Sequence, residues 1–395
     1  MTTPGEDQQT KSNPPTRTVR PNLPGPRGGS PGAGAPVVPA LQRRPRLPAL
    51  DGLRLICALA VAGYHYGVSW RLDGIHPPAH FVPHAGHVLI YGFLGVEVFF
   101  LISGFVICMS GWGRSPRDFL ASRAGRLYPA FWACVLLTAA VVTVLPVTLG
   151  VPVSGQPSVT DVAVNLTMLP DLLNVPMVDT VYWTLWVELR FYLFFACLTW
   201  TGLTYRRTAT FCTAWLVAAV VVPAHSQSLL TDIVMPQWAP YFIAGVTMYL
   251  MHRHRPTAWL CALVVACWLL SLQSVHVRVL DVHPGFPVPT WPAPVIITIA
   301  YVVLIAIALG ATDRLTWRWL TTAGALTYPF YLLHQRIGYS IIRNVHAHTG
   351  WPAAPLILGA VVLLLGVSWL VHRFVERPLM PALGSLLRGR RARAA

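Results

Sequence analysis

The stretch LDGLRLICALAVAGYHY, residues 50–66, decides the class of this protein. It is almost entirely apolar and, with its flanks, long enough to cross a bilayer as a helix. Arg54 and His65 interrupt it eleven residues apart. That spacing is about three helical turns, so both side chains project from nearly the same face, roughly 16 Å apart along the axis. Ionisable groups inside a membrane are costly and usually face a cavity where something happens. A fixed cation toward one end and a proton-transfer residue toward the other point to a reaction path through the membrane.

The rest of the chain has the same character. Its 395 residues are 54% hydrophobic and 11% charged, with a mean hydropathy of +0.55. A soluble domain carries about 25% charged residues. The fold class expected is therefore all-α, a polytopic integral membrane protein. The net charge of +15 raises nucleic acid as a partner. Its cations, all Arg but for Lys11, sit mainly in short loops between apolar runs, where topology explains them better. Residues 1–46 are rich in Pro, Gly, Ser and Thr and lack the apolar core of a signal peptide, so they read as a disordered basic tail. Residues 47–380 form the membrane domain, and 381–395 a short Arg-rich tail.

Ten apolar runs follow, near 49–69, 88–110, 128–149, 182–203, 208–224, 236–251, 257–275, 293–311, 321–342 and 353–374. Residues 161–173 (DVAVNLTMLPDLL) are amphipathic and too short to span, so they lie at the interface or dip back into the protein. With the N-terminus inside, 23 of the 29 Lys and Arg fall in cytoplasmic segments, which places both termini in the cytoplasm. Arg71, Arg278 and Arg343 lie on or near the outer side. All seven cysteines fall within the apolar runs without a CxxC pair and read as small packing residues.

Several polar residues within the runs carry the chemistry. GVEVFFLISGFVI, residues 95–107, places Gly95 and Gly104 where helices approach closely, and adds an isolated carboxylate, Glu97, with Ser103. In the following loop, SRAGRLYPAFW (122–132) carries Arg123 and Arg126 three residues apart. They orient the chain, clamp a phosphate, or do both. YWTLWVELRFYLFF (182–195) holds Glu188 and Arg190, too close in sequence to pair, and Tyr192. Glu188 orients a histidine, holds a cation, or makes a structural ion pair. GALTYPFYLLHQRIGY (324–339) holds Tyr328, Pro329 and His334, the last near the depth of His65. His76, His80, His84 and His87 resemble a metal cluster, but Pro77, Pro78 and Pro83 prevent the regular helix that would align them, so no metal site is expected. Zincin, hydrolase-elbow, P-loop and dinucleotide motifs are absent from the sequence.

Together these stretches resemble the membrane-bound acyltransferase family 3, over about residues 48–380. The Arg-x10-His of the first run fits that family's first helix. GVEVFFLISGFVI, SRAGRLYPAFW, YWTLWVELRFY, GALTYPFYLLH and VERP (375–378) fit later motifs in order. The resemblance implies acyl transfer from a cytoplasmic acyl-CoA, with acetyl-CoA expected, to hydroxyls of sugars, envelope glycans or glycosylated metabolites, with no tightly bound cofactor. His65 would be the catalytic base and Arg54 would lie nearer the donor. Arg123 and Arg126 would help bind coenzyme A, Glu188 and His334 would join the catalytic group, and Glu97, Ser103, Tyr192 and Tyr328 would line the substrate cavity. Glu97 stands where many relatives carry Asp, and the soluble esterase-like domain of some relatives is not expected here. A bacterial plasma membrane is the expected location. A transporter or flippase for a lipid-linked or glycosylated small molecule is the rival reading, because buried charges and broken helices serve transport equally well.

Overall fold

The computed structural model describes residues 47–389, apart from 82, 148–149, 153–154, 225, 227 and 284–286. The tail read at 1–46 and residues 390–395 lie outside the described residues. Everything described is helix or connection. The order is α1 (Pro48–Gly67), α2 (Pro83–Leu89), α3 (Gly95–Gly111), α4 (Pro116–Val144), α5 (Val159–Asn165), α6 (Trp183–Trp200) and α7 (Tyr205–Val221). Then come α8 (Leu229–Val234), α9 (Ala239–His254), α10 (Ala258–Val282), α11 (Pro292–Ala308), α12 (Arg318–Thr349), α13 (Ala353–Val371) and α14 (Arg377–Leu387).

Five helical stretches are long and apolar enough to cross a membrane: His84–Gly111, Pro116–Val144, Thr180–Trp200, Ala258–Val282 and Ala353–Leu387. Helices occupy the other five expected positions as well. Of these α7, α9 and α11 have 17, 16 and 17 residues. The longer α1 and α12 carry the polar residues on which the site depends, and those lower their hydropathy.

Two close helix pairs set the frame. α1 and α12 run parallel, held at a nearly constant offset by His65–His334 and Ser69–Tyr339 contacts 269 and 270 residues apart. Gly338 permits this approach, since a Cβ there would overlap the Tyr66 ring. α3 and α9 meet backbone to backbone, with Gly104 against the Phe242 carbonyl and Gly245 against that of Leu101. Gly95 likewise lets α3 reach the Cys57 carbonyl of α1. Small residues are how membrane helices gain packing contacts when burial itself supplies little drive.

Residues 122–127 of SRAGRLYPAFW, read as the end of the loop before the 128–149 run, are already helical. α4 begins at Pro116, capped by Ser115 Oγ accepting from the Asp118 N–H at 3.1 Å, and runs through Pro129 to Val144. A Ser cap followed by Pro at the first helical position starts a helix strongly, and the arginines' aliphatic stems can lie along it. The last motif also has a local form: His372–Glu376 widens into a π turn between α13 and α14, with His372 Nδ1 2.9 Å from Glu376 Oε2. Pro378 lacks the N–H that an α turn would need, and the wider turn accommodates it.

Residues 156–178 fold back along α4. Gln156 donates to the Thr143 carbonyl at 3.2 Å, while Trp132 and Tyr128 donate to Leu166 and Thr167 at 3.0 and 3.1 Å. From Thr143 to Tyr128 is roughly 22 Å of helix, so the amphipathic segment dips well down the side of α4. It returns to α12, where the carboxylate of the fully buried Asp179 accepts from the Arg336 backbone N–H at 3.0 Å and that of Val181 at 3.3 Å. The Arg336 guanidinium donates to the Val178 carbonyl at 2.7 Å and to that of Gly155. Burial pushes the Asp179 carboxyl up to about 7.

Candidate active site

His65, the seventeenth position after the start of α1, meets His334 of α12, with Nδ1 2.8 Å from Nε2. The rings stack at 5.0 Å. His334 is fully buried, and its Nδ1 lies 2.7 Å from the Tyr331 carbonyl. A carbonyl only accepts, so His334 Nδ1 carries the hydrogen and its Nε2, with both rings neutral, must accept from His65 Nδ1–H. The Nε2 lone pair of His65 is thereby left for a substrate. Tyr66 anchors the arrangement by donating to the His334 carbonyl. His334 thus plays toward His65 the part a carboxylate often plays: it fixes tautomer and ring orientation.

His65 lines a cavity of about 150 Å³ with Tyr64, Thr180, Trp183, Arg278 and Tyr331. Arg54 lines a second, of about 60 Å³, with Arg126, Ser103, Glu188, Tyr328 and Tyr331. The two share walls at Val96 and Tyr331. Arg54 Nε is buried with no hydrogen-bond partner among the described residues. A buried, unmatched guanidinium atom beside a second arginine is costly unless an anion completes it. Glu188 does not orient a histidine; its Oε1 accepts from Ser103 Oγ at 2.9 Å and from the Tyr192 hydroxyl. Tyr328 is held by a 3.1 Å bond to the Leu127 carbonyl.

A third cavity, of about 980 Å³, opens beyond His65 and shares Tyr64 and Val282 with its cavity. Ser69, Arg71, His80, His87, Tyr91 and Trp291 stand on its wall. The three spaces follow one another along the line that α1 draws from Arg54 past His65.

The model of the acyltransferase domain family, Acyl_transf_3, matches residues 47–373. The chain belongs to that family. Among its relatives, the acyltransferase MdmB of Streptomyces mycarofaciens is 28% identical over 86% of this chain and 93% of that protein. The exopolysaccharide production protein ExoZ of Rhizobium meliloti is 27% identical over 76% of this chain and 93% of its own. The O-acetyltransferase OatA of Staphylococcus aureus is 36% identical over 23% of this chain and 14% of its own length. No solved structure matches. The family range contains every residue of the three cavities named above and ends within the π turn, two residues before the VERP stretch.

Within this acyltransferase domain, not every expected residue reaches a cavity. Arg126 does, while Arg123 is buried beside it and its Nε has no partner among the described residues. Tyr192 lines none of the three cavities and donates to Glu188. Glu97 lines none of the three cavities: it is 1% exposed and holds Arg278 Nε at 3.4 Å from its Oε1. Arg190 pairs with Asp232 at 3.3 Å, away from Glu188. His76 bonds Asp73 at 2.8 Å and stacks on His80, and among the described residues no group of three His, Cys, Asp or Glu could hold a metal.

Arg278 is the residue the sequence reading passed over. It falls three positions past the apolar run read at 257–275 and counted there as a topology charge. α10 continues to Val282, which turns Arg278 into the His65 cavity. Its pairing with Glu97, 181 residues away, has no local sequence signal.

Proposed function

We propose that this protein is a membrane O-acyltransferase that moves an acyl group from acyl-CoA to a hydroxyl of a sugar, envelope glycan or glycosylated metabolite. One observation carries the reading: Arg54 and His65 share one helix but line different cavities, and those cavities share a wall. Arg54 and Arg126 would hold the donor's anionic groups through charge-assisted bonds. The acceptor would enter from the 980 Å³ vestibule, a volume suited to a metabolite-sized ligand. Spaces of about 60 and 150 Å³ favour an acetyl group over a long acyl chain.

In the reaction, His65 Nε2 takes the acceptor hydroxyl's proton as its oxygen bonds to the thioester carbon. The C–S bond then breaks, and the proton passes from His65 to the departing thiolate. His334 Nε2 holds the imidazolium through His65 Nδ1–H. The positive-inside pattern supports ten spans with both termini cytoplasmic, so the donor arrives at the Arg54 end, and the bacterial relatives favour a bacterial plasma membrane. The name of ExoZ, an exopolysaccharide production protein, favours a glycan acceptor, and the size of the vestibule suits a discrete glycosylated molecule. Mass spectrometry of glycosides from cells with and without the gene, paired with isotope-labelled acetyl-CoA added to the purified protein, tests this. Acceptors gaining one labelled acetyl are expected. Movement of an unmodified glycoside across the membrane, without labelling, would instead indicate a transporter.

A further inference from the structure

His65 supplies only half of what acyl transfer needs. As the hydroxyl oxygen attacks, the carbonyl π electrons move onto oxygen, and that negative charge needs a donor placed in advance. Among the residues lining the His65 cavity, Arg278 is the one fixed cation. It comes from α10, a different element from the helices that carry the histidines.

Its surroundings are not those of a pair built for stability. Glu97 is 1% exposed, yet it meets Arg278 through one 3.4 Å contact, and its Oε2 has no partner among the described residues. A buried pair repays desolvation only with excellent geometry and further hydrogen bonds, which this one lacks. The Arg278 side chain keeps 23% of its exposure and lies over the Trp183 and Trp238 rings at 5.6 and 5.2 Å. Trp183 also lines the cavity. The two indoles lie against the guanidinium, while Glu97 engages only Nε of its five donor hydrogens. We infer that Arg278 is a catalytic residue of acyl transfer, stabilising the oxyanion formed opposite His65, and that Glu97 is its positioning residue.

The inference rests on the acyl-transfer reading above. It is tested by steady-state kinetics of purified parent, Arg278→Gln, Arg278→Lys and Glu97→Gln proteins, with acetyl-CoA as donor and, as acceptor, the unmodified form of the glycoside found to gain acetyl. Arg278→Gln should lower kcat about 10²–10³-fold while both KM values stay within about threefold. Arg278→Lys should recover at least about tenfold of that loss, since it keeps the charge but not the fork. Glu97→Gln should lower kcat less than Arg278→Gln, without moving either KM. A parental kcat in Arg278→Gln, or a raised acceptor KM with kcat preserved, would overturn the assignment and leave the acyltransferase reading standing. If Arg278→Gln fails to accumulate, an Arg278→Lys protein with a lowered kcat and both KM values unchanged supports the assignment, and one with parental kcat, or with a raised acceptor KM alone, overturns it. A parent protein inert toward acetyl-CoA would overturn both.

Discussion

At the scale of residues, the structure ranks the ionisable groups by what they can touch. His65 Nε2 is the free lone pair of a two-histidine relay whose other end is pinned to the Tyr331 carbonyl. His65→Gln keeps polarity and approximate size but removes the base, so turnover should fall by about 10²–10⁴ while acetyl-CoA binding is retained. His334→Ala should lower turnover less, because the base remains and only its orientation is lost. A correctly inserted His65→Gln protein with near-parental turnover would make His65 structural. The arginines separate likewise. Arg126→Ala should weaken donor binding by roughly 1.5–3 kcal/mol, the worth of a charge-assisted contact. Arg123→Ala, which empties a buried site off the cavity, should lower thermal stability more than donor affinity. Donor titrations and thermal melts of the two variants check this, and equal donor affinities would remove the clamp role from Arg126.

At the scale of elements, the segment over 156–182 joins α4 to α12 next to the histidines. Its lock is Asp179, whose carboxyl burial pushes up to about 7 from an ordinary value near 3.8. A raised carboxyl favours the protonated folded state. The stability it contributes is fully present below the unfolded value and is lost as pH rises through about 7. Amide hydrogen exchange over 176–182, corrected for intrinsic rates, should therefore show protection falling from about pH 4 to about pH 7 and levelling off above it. Asp179→Asn should flatten that dependence, and an unchanged slope would show that another group titrates.

Elements also mark where sequence is readable. Arg54 and His65 on α1, and the depth match with His334, are periodic facts of single helices, and the parallel pairing of α1 with α12 follows from two odd-numbered runs. The α4 start was hidden because polar arginines look like a loop even where a Ser–Pro cap begins a helix. Glu97 with Arg278 was hidden for a different reason: the partner lies on another helix, beyond the apolar edge of its run. Hydropathy reports which stretches prefer lipid, and says little about which polar side chain of one helix turns toward another.

At the scale of the whole molecule, three cavities follow one another along α1, which the proposed reaction would use as its axis. On the proposed topology, 111–127 faces the cytoplasm while 70–87 and 151–181 face outward. Single cysteines placed in 151–181 of a variant lacking the native seven should react with a membrane-impermeant maleimide from outside intact cells. Labelling only after permeabilisation would overturn the ten-span arrangement. In the proposed reaction, donor and acceptor meet at His65 from opposite ends of this axis. Inverted membrane vesicles carrying the protein, with acceptor glycoside sealed inside and radiolabelled acetyl-CoA added outside, test it most directly. Label is expected in the lumenal acceptor with the parent protein and none with His65→Gln; label that appears only when acceptor and acetyl-CoA share the outer solution would rule out access from opposite sides.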